Sequence, residues 1–306
     1  MSAEPPALCL LCGRPFPRAL GFCPVCLLRG AGEEKSDSLE PSSEETLQAT
    51  VEDSSGTRFE HYRLFQGPDG QAVELGRGAM GVTYQAVDLS LRRTVALKVI
   101  GQRCLGDEVA QRRFVREARA AARVRHPNVA SVYHLGQSGG QYFYAMEFVE
   151  GETLQKLIKR SGRLEVQLAL EIATQVATGL AAIHKEKLVH RDIKPSNVMV
   201  RLEEGGAVTA KIIDLGLAKL APEAPAESAI SIPGAFAGTP EFASPEQFAG
   251  VGVDIRSDLY SLGVVLWNMV TGHVVFRGSP AEVMYQHTRL PVEQLEERAG
   301  ARCCSN

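Results

Sequence analysis

His190-Arg191-Asp192-Ile193-Lys194-Pro195-Ser196-Asn197 sets one carboxylate, two cations and one amide in a short loop between apolar runs. Together these groups offer a specific chemistry. An aspartate can accept a hydroxyl proton, a lysine can stabilise charge on phosphate, and an asparagine can ligate a hard cation. A loop that merely joins two elements rarely needs all of them in this order.

Downstream, Lys211-Ile212-Ile213-Asp214-Leu215-Gly216 ends an apolar strand in a carboxylate and a glycine. An ordinary strand-to-turn aspartate looks the same. The functional reading is a Mg²⁺ ligand, because Mg²⁺ takes one or two carboxylates and completes its shell with phosphate oxygens. Upstream, Val95-Ala96-Leu97-Lys98 puts a lysine in an apolar strand. It reads either as an edge-strand surface lysine or as a cation held against phosphate. Glu117, in the helix that follows, is placed to pair with it. Further upstream lies Gly76-Arg77-Gly78-Ala79-Met80-Gly81, a G-x-G-x-x-G string. Alone it also fits a tight hairpin or a dinucleotide fold. A dinucleotide site needs a helix straight after it, whereas residues 82–87 alternate like a strand.

Around these motifs the periodicity predicts strands at 62–65, 73–75, 81–87 and 94–100, a helix over 107–124, and strands at 129–133 and 141–148. Beyond Gly151 the pattern turns helical. Ala169, Ile172, Val176, Leu180 and Ile183 form the stripe of one long helix, and short strands are predicted at 198–200 and 211–213. The apolar run 262–276 reads as a buried helix, too short to span a bilayer comfortably. A strand-rich half thus precedes a helix-rich half, joined near 147–151, and such junctions are common ligand sites.

The order of these motifs resembles the protein-kinase family. Gly238-Thr239-Pro240, Ser244-Pro245-Glu246 and Asp258 extend the match, which covers about 59–290. Lys194-Pro195 resembles the serine/threonine branch, and 80–84 has a bacterial flavour. The resemblance implies an α+β, two-lobe kinase fold: an antiparallel sheet plus one helix (58–147), then a mainly helical lobe (151–290). It implies ATP and Mg²⁺ as cofactors and proteins with Ser or Thr acceptors as substrates. Lys98, positioned by Glu117, would hold the α- and β-phosphates. Asp214 and Asn197 would bind Mg²⁺, Asp192 would take the substrate hydroxyl proton, and Lys194 would neutralise the transferring phosphoryl. Leu75, Gly76, Arg77, Gly78, Ala79, Met80, Gly81, Thr83, Ala96, Met146, Glu147 and Val149 would line the ATP site, with Glu150 or Glu152 near the ribose. Ser228, Ser231 and Thr239 are candidate phosphoacceptors, which Arg191 would pair with. Thr83 replaces a usual valine and Leu215 a usual phenylalanine. Relatives continue through two or three further helices, so the reading expects an incomplete helical lobe, an irregular tail over 291–306, and a Glu246 without its arginine partner.

The rest of the chain bounds these readings. Its 306 residues, 44% hydrophobic, suffice for a sizeable core, and a net charge of −3 gives no electrostatic case for nucleic acid. No secretory signal or membrane segment is read, so a cytoplasmic location is expected. Residues 31–57 are acidic and Ser-rich, and read as a flexible linker. Residues 1–30 carry Cys9, Cys12, Cys23 and Cys26 as two Cys-x-x-Cys knuckles, a set suited to tetrahedral structural Zn²⁺, with redox or disulfide use as the alternative. Such a module could also recruit a partner. Three functional readings follow: an active kinase, a nucleotide-binding scaffold or pseudokinase without turnover, and a zinc-ribbon adaptor.

Overall fold

A computed structural model describes residues 58–78, 80–101, 105, 108–216, 239–250, 252–290 and 294, together with the backbone of residues 7–8 and 15–16. The chain divides into two compact units, Met1–Glu52 and Asp53–Asn306. In the first, β1 (Ala7–Leu8) and β2 (Pro15–Phe16) pair antiparallel, with Ala7 opposite Phe16. This ribbon brackets Cys9 and Cys12 in sequence. The four cysteines, the 31–57 linker, Ala79, Ser228, Ser231 and most of the 291–306 tail lie outside the described residues.

The second unit begins with a sheet of β3 (Arg58–Phe59), β4 (Tyr62–Leu64), β5 (Glu74–Gly78), β6 (Gly81–Asp88), β7 (Arg93–Ile100), β8 (Val132–Ser138) and β9 (Gln141–Glu147). Its order is β3-β4-β6-β7-β9-β8, with β5 paired on β6, and every pairing is antiparallel. Alternation explains the layering. In β7, Val95, Leu97 and Val99 join Tyr62, Phe143 and Ala145 in a cluster on one face. Ala96 and Ile100 take the other face, in a larger cluster with Phe114 and Ala118 of helix α1 (Glu108–Ala121).

The helical half contains α2 (Leu154–Ser161), α3 (Val166–Lys185), α4 (Pro245–Ala249), α5 (Ile255–Thr271) and α6 (Pro280–Arg289). The stripe Ala169, Ile172, Val176, Leu180, Ile183 is buried on α3 as its spacing predicts. By length and composition α3 could cross a membrane. Its apolar stripe is instead used up by the core it shares with Val265 and Met269 of α5. β10 (Glu152–Thr153), just before α2, joins β11 (Val198–Leu202) and β12 (Val208–Ile212), which lie between α3 and α4, in a small antiparallel sheet.

The main departure in element placement is the strand predicted at 129–133. The strand starts at Val132, because Val129 bridges to Ile212 and is buried against the helical half. Another departure concerns Glu246. It is not left as a buried carboxylate without a partner: it is half-buried and accepts a hydrogen bond from the Ser257 hydroxyl. Burial pushes its carboxyl up, but the Ser257 bond together with hydrogen bonds from its own backbone and from Ser244 holds it below the usual glutamate range.

Candidate active site

The strand register places the first part of the site. Thr83 lies opposite Lys98, Lys98 opposite Tyr144, and Ala96 opposite Met146. Directly opposed residues point to the same face. Residues two apart on one strand also share a face. Thr83, Ala96, Lys98, Tyr144 and Met146 therefore form one patch, floored by Ala96 and Met146, which are nearly fully buried. Leu75 stands exposed at its rim on β5.

The glycine string forms the hairpin between β5 and β6, with Gly78 opposite Gly81. A strand follows it, which removes the dinucleotide-fold reading. Its glycines are not equivalent. Gly81 has φ +142, and a Cβ there would fall 1.9 Å from the Val99 carbonyl oxygen, so the protein itself requires glycine. A Cβ on Gly76 or Gly78 would meet nothing within 4 Å. The fold leaves open space where a phosphate could approach the backbone.

After β9 the chain passes through Glu147, Phe148 and Val149 into the helical half. The Glu147 side chain is tied back by an ion pair with Lys211 and by the Ser131 amide at 3.2 Å. Glu152 is engaged by Arg160 at 2.5 Å.

The loop 190–197 supplies the second wall. Asp258 at the start of α5 anchors it: the Asp258 carboxylate accepts the backbone N–H of His190 and of Arg191, each at 2.8 Å, and lies 2.8 Å from His184 Nε2. Arg191 and Asp214 both sit at positive φ, 63° and 62°. Such a conformation costs about 1–3 kcal/mol in a non-glycine residue and persists only where surroundings enforce it. Gly216 lets the two segments approach, because a Cβ there would fall 2.3 Å from the His190 carbonyl oxygen. Within the loop, the Asn197 amide donates to the Asp192 carbonyl (2.8 Å) and carboxylate (3.1 Å). Lys194 Nζ lies 3.0 Å from Asp192 Oδ2 and donates to the Thr239 hydroxyl at 3.2 Å. Asn197 thus spends its NH₂ group on Asp192 and keeps its carbonyl oxygen as a ligand.

Asp214 closes the arrangement. Its Oδ2 pairs with Lys98, and its Oδ1 accepts the Tyr144 hydroxyl at 2.7 Å. Burial pushes the Asp214 carboxyl up. Lys98 and the Tyr144 hydrogen bond outweigh it, and the group stays below the usual aspartate range. Tyr144 is driven well above its ordinary value, chiefly by burial and then by the Asp214 charge.

One expected contact is corrected. Lys98 pairs with Asp214, not with Glu117. Glu117 is half-buried on α1, where burial raises its carboxyl against the pull of Arg191, Arg116 and Arg113. Asp192, Lys194, Asn197, Asp214 and Lys98 are brought together around one cleft, while Glu117 lies among the charges of Arg191, Arg116 and Arg113 and makes no ion pair with Lys98 among the described residues. Tyr144 is the site residue that motif reading misses. Its signal was the register that opposes it to Lys98.

The donor set suits a hard divalent cation. The Asp214 carboxylate and the free Asn197 carbonyl oxygen face the same cleft, and Mg²⁺ accepts one or two such protein ligands beside phosphate oxygens.

Known proteins agree with this geometry. Residues 71–300 match the family model described as the protein kinase domain. The chain is 40% identical over 215 residues to a probable serine/threonine-protein kinase of Clostridium acetobutylicum, covering 70% of this chain and 32% of that protein. It is 41% identical over 226 residues to the serine/threonine-protein kinase pkn2 of Myxococcus xanthus, covering 74% and 27%. It therefore spans about a third of the length of these relatives. The crystal structure of the PknI kinase domain of Mycobacterium tuberculosis superposes with a TM-score of 0.57 at 26% identity, covering 82% of this chain and 98% of that domain. With its two-lobed fold and assembled cleft, the chain belongs to the protein kinase family.

Proposed function

We propose that this chain transfers the γ-phosphoryl group of ATP to Ser or Thr hydroxyls of proteins, with Mg²⁺. The observation that carries the proposal is the convergence of Asp192, Lys194, Asn197, Lys98 and Asp214 on one cleft from segments as much as 116 residues apart in sequence. The serine/threonine-kinase relatives support it.

In this reading Asp192, held by Asn197, orients the acceptor hydroxyl and takes its proton as the oxygen attacks the γ-phosphorus. The bond to the β–γ bridging oxygen breaks and ADP leaves. Lys194, already beside Asp192, offsets charge on the transferring group. Lys98 holds the α- and β-phosphates, and the open backbone at Gly76 and Gly78 accommodates them. Ala96, Met146, Thr83 and Leu75 pack the base. Mg²⁺, on Asp214 and Asn197, supplies neutralisation of phosphate charge. Catalysis of this kind is mostly positioning and electrostatics.

The test is phosphate transfer from Mg·ATP to a generic protein substrate by wild type and Asp192→Asn. Transfer that is lost in the variant, with nucleotide binding kept, supports the proposal. Equal transfer by both proteins, or none by a wild type that binds Mg·ATP, refutes it.

The N-terminal unit is proposed as a structural zinc ribbon. The spacing of Cys9, Cys12, Cys23 and Cys26 and the β1–β2 ribbon support it. A Cys9→Ser variant with undiminished zinc content would refute it.

A further inference from the structure

We propose that Glu60, His61 and His134 form a second, non-catalytic metal site that takes Zn²⁺ on the sheet, remote in sequence from every catalytic motif. The three side chains offer two imidazoles and one carboxylate, with one ligand atom from each within 4.8 Å of the others. Two nitrogens and an oxygen suit Zn²⁺, and three protein ligands leave a fourth position for water.

Several features build the site. Glu60 occupies the tight turn between β3 and β4 at φ 51°, which turns its side chain toward β8. There its Oε1 accepts the Gln137 amide at 3.2 Å. Gly136 makes room for it, because a Cβ at 136 would fall 2.6 Å from that oxygen. The other oxygen, Oε2, is left 3.8 Å from His134 Nε2. His61 and His134 lie with ring centroids 5.4 Å apart, held by packing on Tyr62 and Phe143.

The distances exclude a direct hydrogen bond and lie somewhat wider than a bound ion requires. A separation of 3.8 Å is too long for a hydrogen bond. Two ligands of one tetrahedral Zn²⁺, each about 2.0–2.1 Å from the metal, stand about 3.3 Å apart. A small rotation of the imidazole reaches that spacing. His134 Nδ1 is buried and makes no hydrogen bond, so the ring is not held by a competing partner. His61 Nε2 stands 3.9 Å from the buried carboxylate of Asp88, too far for a hydrogen bond, so this ring too is not tied to a partner there. The bland reading is a loose histidine–glutamate ion pair. It does not account for a third donor, supplied by His61, on the same point.

Bound metal would cross-link the entry hairpin, β3–β4, to β8, elements more than 70 residues apart that sit at opposite ends of the strand order. The full chain and its His61→Ala, His134→Ala and Glu60→Gln variants are titrated with Zn²⁺ against a chromophoric chelator. Wild type is expected to bind one equivalent more than either histidine variant, whatever the N-terminal cysteines take up. Glu60→Gln is expected to weaken that equivalent at least tenfold. Co²⁺ in its place should give the visible absorption of a four-coordinate nitrogen–oxygen site, absent from His134→Ala. Glu60 is exposed, so Glu60→Gln carries the test should an alanine variant fail to fold. Equal stoichiometry and affinity in wild type and the folded variants overturn the proposal.

Discussion

Tyr144→Phe isolates one contact in the cleft. The tyrosine is 1% exposed, and its hydroxyl lies 2.7 Å from Asp214 Oδ1. Phenylalanine keeps the ring and its packing near Phe114, so the transfer of apolar surface is unchanged. What is lost is one buried hydrogen bond to an ionised acceptor, worth about 1.5–3 kcal/mol. At about 2–4 °C per kcal/mol for a domain near this size, the melting temperature should fall by roughly 3–12 °C. The substitution also changes pH behaviour. Asp214 is held below its ordinary range by Lys98 and Tyr144 against burial. A carboxyl with a depressed folded pKa contributes stability above its unfolded pKa and loses it as pH falls through the folded one. Without the Tyr144 donor the folded pKa rises, so acid unfolding should begin at higher pH. Differential scanning calorimetry across a pH series reads both effects. A melting temperature within about 1 °C of wild type, or an unmoved acid limb, would refute the reasoning.

Other substitutions separate structural demands from ligand demands. Gly81→Ala should cost at least about 2 kcal/mol, read by chemical denaturation, because it meets both positive φ and the Val99 carbonyl. Gly76→Ala, with open space around its Cβ, should leave stability within about 0.5 kcal/mol and weaken nucleotide binding instead. Asp258→Ala strips the partner from two loop amides and should cost about 2–5 kcal/mol, with phosphate transfer falling in step. His287 lies among Phe248, Tyr260 and Phe276, where burial pushes it down to about 4. Its unfolded form gains a proton first, so it subtracts stability as pH falls from about 6.5 to about 4, and His287→Phe should flatten the unfolding curve over that window. Ser228→Ala with Ser231→Ala should lower activity if phosphorylation there switches the enzyme, and unchanged activity in the double variant would refute that switch.

The residues proposed to do the chemistry were legible in the sequence because such a reaction restricts their type and order. Asp192, Lys194, Asn197, Asp214 and Lys98 were read from such strings, and the structure brings them to one cleft. A strand such as β7 was legible as an apolar run rich in β-branched residues, which the structure buries on both faces. What stayed hidden depends on distance through space. Tyr144 sits in the run Tyr142-Phe143-Tyr144-Ala145-Met146, where an aromatic reads as core filling, and only its register against Lys98 exposes its role. Lys98 had two carboxylates to choose from, Glu117 and Asp214, and no spacing rule decides between them. Glu246 meets Ser257 eleven residues on, a pairing that depends on how α4 leads into α5. Glu60 and His61 are separated from His134 by most of the sheet's sequence, so no local pattern could join them.

Asp258 grips the catalytic loop by main-chain amides, not by side chains. The grip asks only for an N–H at 190 and 191 and reads neither side chain. What those two positions may hold is set separately, by the positive φ at Arg191 and by the buried His190 ring that accepts the Asp192 amide. Loss of the one carboxylate at 258 would free both amides at once, so a change in a separate helix would slacken the segment that carries Asp192.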